Sequence, residues 1–163
     1  MASEEHRAAV PETLHGTGLR LGIVSARWNA SIVARLEEGA HRAVASLGVR
    51  SHHSYTVPGC FEVPLGAQLL ANSGDVDAIV CLGVVIRGAT THYELVAGEC
   101  GRGVQDVQLK TGVPIGFGVL TVENQEQALE RSEPTGGHNV GEQAVYAAIE
   151  MARLAQQLPS RNS

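Results

Sequence analysis

Residues 78–82, Ala-Ile-Val-Cys-Leu, are apolar without a break. A strand wetted on one face alternates apolar and polar side chains. An unbroken run therefore predicts a strand covered on both faces, the habit of a parallel sheet. That strand extends over 78–86. Three more segments read as strands: 19–25 (LRLGIVS), 50–57 and 115–122. Between them the apolar spacing lengthens to that of a helix. Ile32, Leu36, Ala40, Ala43 and Leu47 share one helical face. Tyr93, Val96, Cys100, Val104 and Val107 share a second, and Val140, Ala144, Ala147, Ala148, Met151 and Leu154 a third.

The punctuation fits these limits. Gly48 stands where a helix commonly ends. Pro64 suits a first helical turn, where its missing N–H costs nothing, and Asn72-Ser73-Gly74 ends the helix it opens near Ala71. Gly112 and Pro114 close the next helix. Asn124 with Gln127 three residues on is a capping-box variant opening a short helix to Arg131, followed by a loop at 133–137. The order β-α-β-α-β-α-β-α-α predicts one three-layer α/β/α domain on a four-stranded parallel sheet. The domain is read as 19–158, with a loose tail at 1–18 and a short polar one at 159–163.

Composition narrows the class. With 163 residues, 44% hydrophobic and 18% charged, the chain is expected to bury a core of its own. A net charge of −5 argues against nucleic acid as a partner. Cys60, Cys81 and Cys100 are widely spaced with no C-x-x-C pair, which predicts free thiols in a reducing, cytoplasmic setting. No segment reaches the ~20 apolar residues of a membrane helix, so no membrane role is expected. Neither G-x-G-x-x-G after the first strand nor G-x-x-x-x-G-K-[ST] is present, which excludes the common nucleotide cradles. His52 and His53 are adjacent in a strand and point to opposite faces, so no metal site is expected there.

The chemistry concentrates at Arg87-Gly88-Ala89-Thr90-Thr91-His92, between the third strand and a helix. Ligands of open parallel sheets bind beyond the carboxyl ends of the strands. A helix N-terminus there favours an anion and disfavours protonated imidazole. His92 is thus either a proton carrier or simply an exposed loop residue. Trp28, the sole tryptophan, is either core or a stacking surface at the first strand-to-helix turn. Glu62 either complements a helix dipole or accepts hydrogen bonds from a ligand. Alone, Arg131 reads as a solvated capping charge and Phe117 as core.

Four stretches together resemble the 6,7-dimethyl-8-ribityllumazine synthase family. They are Trp28-Asn29-x-x-Ile32, Val57-Pro58-Gly59-Cys60-Phe61-Glu62-Val63-Pro64, residues 83–94 from Gly83 to Glu94, and the run from Gly118 to Ala128. The resemblance spans about residues 19–155 and implies a flavodoxin-like sheet. It implies condensation of 5-amino-6-(D-ribitylamino)uracil with 3,4-dihydroxy-2-butanone 4-phosphate, with no metal or organic cofactor. Trp28 would stack on the uracil, helped by Phe117 of an adjacent subunit. Cys60, Phe61 and Glu62 would hold the ribityl chain and amine, and Val84, Val85 and Ile86 would offer backbone groups to the pyrimidine edge. Ala89 and Thr90 would receive the phosphate, Arg131 would pair with it from the neighbour, and His92 would carry protons.

The sequence departs from the family pattern at three places. Trp28 replaces a frequent phenylalanine, Cys60 a small residue, and Val140 the lysine of the loop after Arg131. The last change shifts the phosphate contact onto Arg131, with His138 as a helper. The resemblance also implies a homopentamer, twelve of which join into an icosahedral 60-mer in part of the family, with riboflavin synthase as a candidate partner. The loop after Arg131, only slightly lengthened, favours the shell. The rival reading is a non-catalytic protein on the same fold that holds a flavin-like ligand or builds a shell. A flavodoxin-like flavin carrier is a third, but the turn after the first strand lacks its Ser/Thr-rich loop.

Overall fold

The computed structural model describes residues 9–158. The chain runs β1 (Arg20–Ala26), α1 (Ala30–Leu47), β2 (Ser51–Val57), α2 (Val63–Ser73), β3 (Ala78–Ile86), α3 (His92–Thr111), β4 (Ile115–Val122), α4 (Gln125–Glu130) and α5 (Val140–Gln157). A 3-10 turn, Cys60–Glu62, leads into α2. The four strands form one parallel sheet in the order β2-β1-β3-β4.

The alternation of side chains across the sheet divides the core in two. Leu21, Ile23, Val80, Leu82, Val84 and Leu120 face the layer of α1 and α5. Val24, Ile79, Cys81, Val85, Ile115 and Val119 face the layer of α2 and α3. The run at 78–82 is buried on both sides, as its composition requires. β2 is an edge strand with His52 through Thr56 exposed. His41 of α1 lies beside His52 there, ring centroids 5.3 Å apart.

The helix limits follow the punctuation. Gly48, Gly74 and Gly112 each end a helix in the left-handed conformation. Asn124 Oδ1 caps α4 through the Gln127 N–H at 2.9 Å. The return bond from Gln127 goes one residue further back than a capping box, to the Glu123 N–H. The face of α5 differs from the expected one. Gly141, Ala144, Val145, Ala148, Ile149 and Ala152 are buried, while Met151 and Leu154 are exposed. Small residues set this choice. A side chain at Gly116 would meet Ala144 O at 1.9 Å and one at Gly141 would meet Leu36 O at 2.1 Å. Close backbone approach turns the small face of α5 inward and leaves its larger side chains outside.

Residues 1–8 and 159–163, read as parts of the tails, lie outside the described residues. Residues 14–18 lie against the body: Gly16 N–H donates to Leu47 O at 2.7 Å, and Arg153 donates to the carbonyls of His15 and Thr17.

Candidate active site

The carboxyl ends of β1, β2 and β3 border a cleft of about 570 Å³. Its lining includes eight residues expected at the site: Trp28, Cys60, Phe61, Glu62, Val84, Val85, Ile86 and His92. They come from three of the four motif stretches, at the ends of β1, β2 and β3, gathered because parallel strands point their loops the same way.

Trp28 follows β1 on a turn fixed by its neighbour. Asn29 takes φ 59°, the left-handed region that a non-glycine residue enters at a cost, and Asn pays the least among residues with a side chain. Its Nδ2 donates to Val84 O at 3.2 Å and ties the turn to the end of β3. The indole is 74% exposed, which removes the core reading. It lies against Gly59: a Cβ there would sit 3.2 Å from Trp28 Cδ1 and 3.2 Å from Glu62 Oε2. Gly59 thus lets a flat ring and a carboxylate approach one point of backbone. Phe61 is exposed beside them, whereas Cys60 is buried with its thiol against Gly83 of β3.

The three thiols differ. Hydrogen bonding from Cys100, against the opposing effect of burial, holds Cys60 below the usual thiol range; the Val84 N–H adds to this. Its donor Cys100 is pushed up by that bond and by burial. Burial, with the neighbouring Cys60 adding to it, pushes Cys81 up to about 12. All three are free.

His92 opens α3 and is exposed to the cleft. Its N–H donates to Thr90 Oγ1 at 3.3 Å, so the turn before α3 is partly closed by its own threonine. Ala89 and Thr90 are exposed on that turn but do not line the cleft. Phe117 and Arg131 do not line it either. Phe117 is 41% exposed on β4, beside Gly101 of α3, which corrects its reading as core. Arg131 Nη1 donates to Gln127 O at 2.9 Å and lies 3.6 Å from Glu130 Oε2.

The cleft as built offers an exposed aromatic face, a carboxylate, strand-end backbone groups and an imidazole. That set suits a flat, polar heterocycle whose amine is to be protonated and deprotonated. The comparisons with known proteins name the reaction class. The family model of 6,7-dimethyl-8-ribityllumazine synthase matches residues 18–156. The chain belongs to this family. It is 49% identical over 148 residues to the 6,7-dimethyl-8-ribityllumazine synthase of Deinococcus deserti, covering 90% of this chain and 94% of that one. It is 46% identical over 151 residues to the enzyme of the same name from Deinococcus radiodurans, covering 91% and 97%.

Against this lumazine synthase background, Asn29, Gly59, Leu95 and Val96 also line the cleft and were not among the expected site residues. The signal for Asn29 was its place directly after the aromatic of the first turn. Leu95 and Val96 give no polar signal; the first turn of α3 simply brings them there. Val140, where the family pattern has lysine, is half-buried against the α1–α5 core and serves as the first residue of α5. Among the described residues no three His, Cys, Asp or Glu side chains are grouped to hold a metal ion. Among the described residues no helix is long and apolar enough to cross a membrane either.

Proposed function

We infer that this chain condenses 5-amino-6-(D-ribitylamino)uracil with 3,4-dihydroxy-2-butanone 4-phosphate to 6,7-dimethyl-8-ribityllumazine, releasing phosphate and water. The observation that carries this is the convergence of Trp28, Cys60 to Glu62, Val84 to Ile86 and His92 on one cleft. The uracil stacks on the Trp28 face, and its edge meets the backbone of 84–86. Glu62 and the 60–62 backbone hold the ribityl hydroxyls. The amine attacks the butanone carbonyl, and loss of water gives an imine. Phosphate then leaves from the carbon chain, and ring closure expels a second water. His92 takes and returns the protons these steps require. Holding both reactants together supplies much of the acceleration, of order 7–11 kcal/mol at best.

Phosphate is received at the Ala89–Thr90 turn before α3, a 20-residue helix whose N-terminal N–H groups favour an anion. Arg131 and Phe117 act in the cleft of an adjacent copy, which explains why neither borders its own. A site shared in this way needs an adjacent copy, and the assembly that gives every copy one is read as a homopentamer, the unit twelve of which make the 60-mer found in part of the family, in a cytoplasmic setting. The non-catalytic alternative is not favoured, because relatives at 49% and 46% identity are named as the synthase.

Incubating the protein with both substrates and following the product's fluorescence tests the reaction; no product sinks it. Mixed assemblies test the sharing. His92→Ala and Arg131→Ala copies, each inactive alone, should regain activity when assembled together. Random placement round a head-to-tail ring makes about a quarter of the sites whole. No recovery would place Arg131 in its own cleft or outside the site.

A further inference from the structure

The turn at 88–91 has little to hold it. All four residues are exposed, and a side chain at Gly88 would meet nothing within 4 Å. The Thr90 Oγ1 bond to the His92 N–H lies within the turn itself.

What flanks the turn is fastened by one side chain. The Arg87 N–H donates to Val122 O at 2.9 Å, at the end of the β3–β4 ladder. Arg87 Nε donates to Glu123 Oε2 at 2.7 Å, just past β4. Its Nη1 donates to the Glu94 carboxylate in the first turn of α3. The guanidinium also lies over the Tyr93 ring, 4.2 Å from its centroid. The link from Arg87 to Glu94 closes a ring of chain that contains the turn and His92. A planar guanidinium can fork to two carboxylates and stack on a ring at once, which an ammonium cannot. Exposed ion pairs add little to global stability, so the effect of this one is local order. Two carboxylates already offset the charge of Arg87, which makes it a poor ligand for phosphate as it stands.

We propose that Arg87 is a positioning residue: through Glu94, Glu123 and Tyr93 it holds the 88–91 turn and His92 in place for the phosphate-bearing substrate, without touching that substrate. The proposal rests on the roles of Ala89, Thr90 and His92 inferred above. Arg87→Met should raise KM for the butanone phosphate roughly tenfold or more, since displacement of a positioning element by about 1 Å costs up to ~10²-fold. KM for the pyrimidine and the melting temperature should stay near wild type, and amide exchange at 88–92 should quicken. Arg87→Lys should fall between the two. The double variant Glu94→Gln, Glu123→Gln should behave like Arg87→Met. If the double variant leaves that KM unchanged or lowers it, Arg87 is a direct anion ligand and the proposal is overturned. Unchanged exchange at 88–92 in Arg87→Met overturns it as well. A wild-type protein that made no lumazine would sink the reading of the site, while the exchange measurement would still decide whether the brace exists.

Discussion

Trp28→Ala separates binding from folding more cleanly than any other single change. Truncating a buried tryptophan costs about 3–5 kcal/mol. The Trp28 indole is 74% exposed, so only about a quarter of that, about 1 kcal/mol, is at stake in the fold. For a chain of this size that lowers the melting temperature by about 2–4 °C. Stacking of a flat base on an aromatic side chain is worth about 1–3 kcal/mol by alanine substitution. At 1.4 kcal/mol per decade, the variant should bind the ribitylaminouracil about 5- to 140-fold more weakly. Trp28→Phe should keep most of the affinity. Because Trp28 is the sole tryptophan, quenching of its emission reads this contact in the wild type, and calorimetry reads it in the variants. Unchanged affinity in Trp28→Ala would refute the stacking role. A fall of more than about 6 °C would show that the ring is core after all.

Four further outcomes are expected. His92→Ala should lower kcat by about 10²–10⁴-fold with both KM values little changed, as steady-state rates will show; a smaller loss removes it as the proton carrier. Asn29→Ala forces an alanine into the left-handed region and frees the Val84 carbonyl, at about 1–2 kcal/mol in urea unfolding; Asn29→Gly should recover the backbone part alone. Gly116→Ala drives a Cβ against Ala144 O and should cost about 1–3 kcal/mol or more by the same assay, and a neutral result would contradict the seating of α5. The Arg20 guanidinium, through its hydrogen bond, holds the Asp77 carboxyl below the usual carboxylate range. A depressed folded pKa contributes stability that is present above the unfolded value and lost as pH falls through the folded one. Asp77→Asn should therefore flatten the acid limb of the stability curve, by no more than about 1 kcal/mol for so exposed a pair.

Much of the architecture was legible because it depends on neighbours in sequence. The apolar run of β3 announced a doubly covered strand, and Gly48, Gly74 and Gly112 marked helix ends. The inward face of α5 was not legible. Its choice follows from how closely Gly116 lets another backbone approach, a distance that exists only once β4 and α5 have met. The place of Trp28 needed the turn's exposure, which spacing could not supply. The partners of Arg87 were hidden for a similar reason. Glu123 lies 36 residues away and comes near only because β4 pairs with β3. Eight residues of the cleft were legible in the motifs, Leu95 and Val96 were not, and nothing in the residues of Phe117 and Arg131 themselves signals that neither borders the cleft.

That separation has an arithmetic consequence. On the sharing proposed above, a copy that borrows an aromatic and a cation from next door while lending its own is a link with two unlike hooks. An open string of such links always wastes one hook at each end, whereas a circle wastes none. Working centres then number the junctions between copies, so selection for output alone rewards closing the circle before any outer container is built.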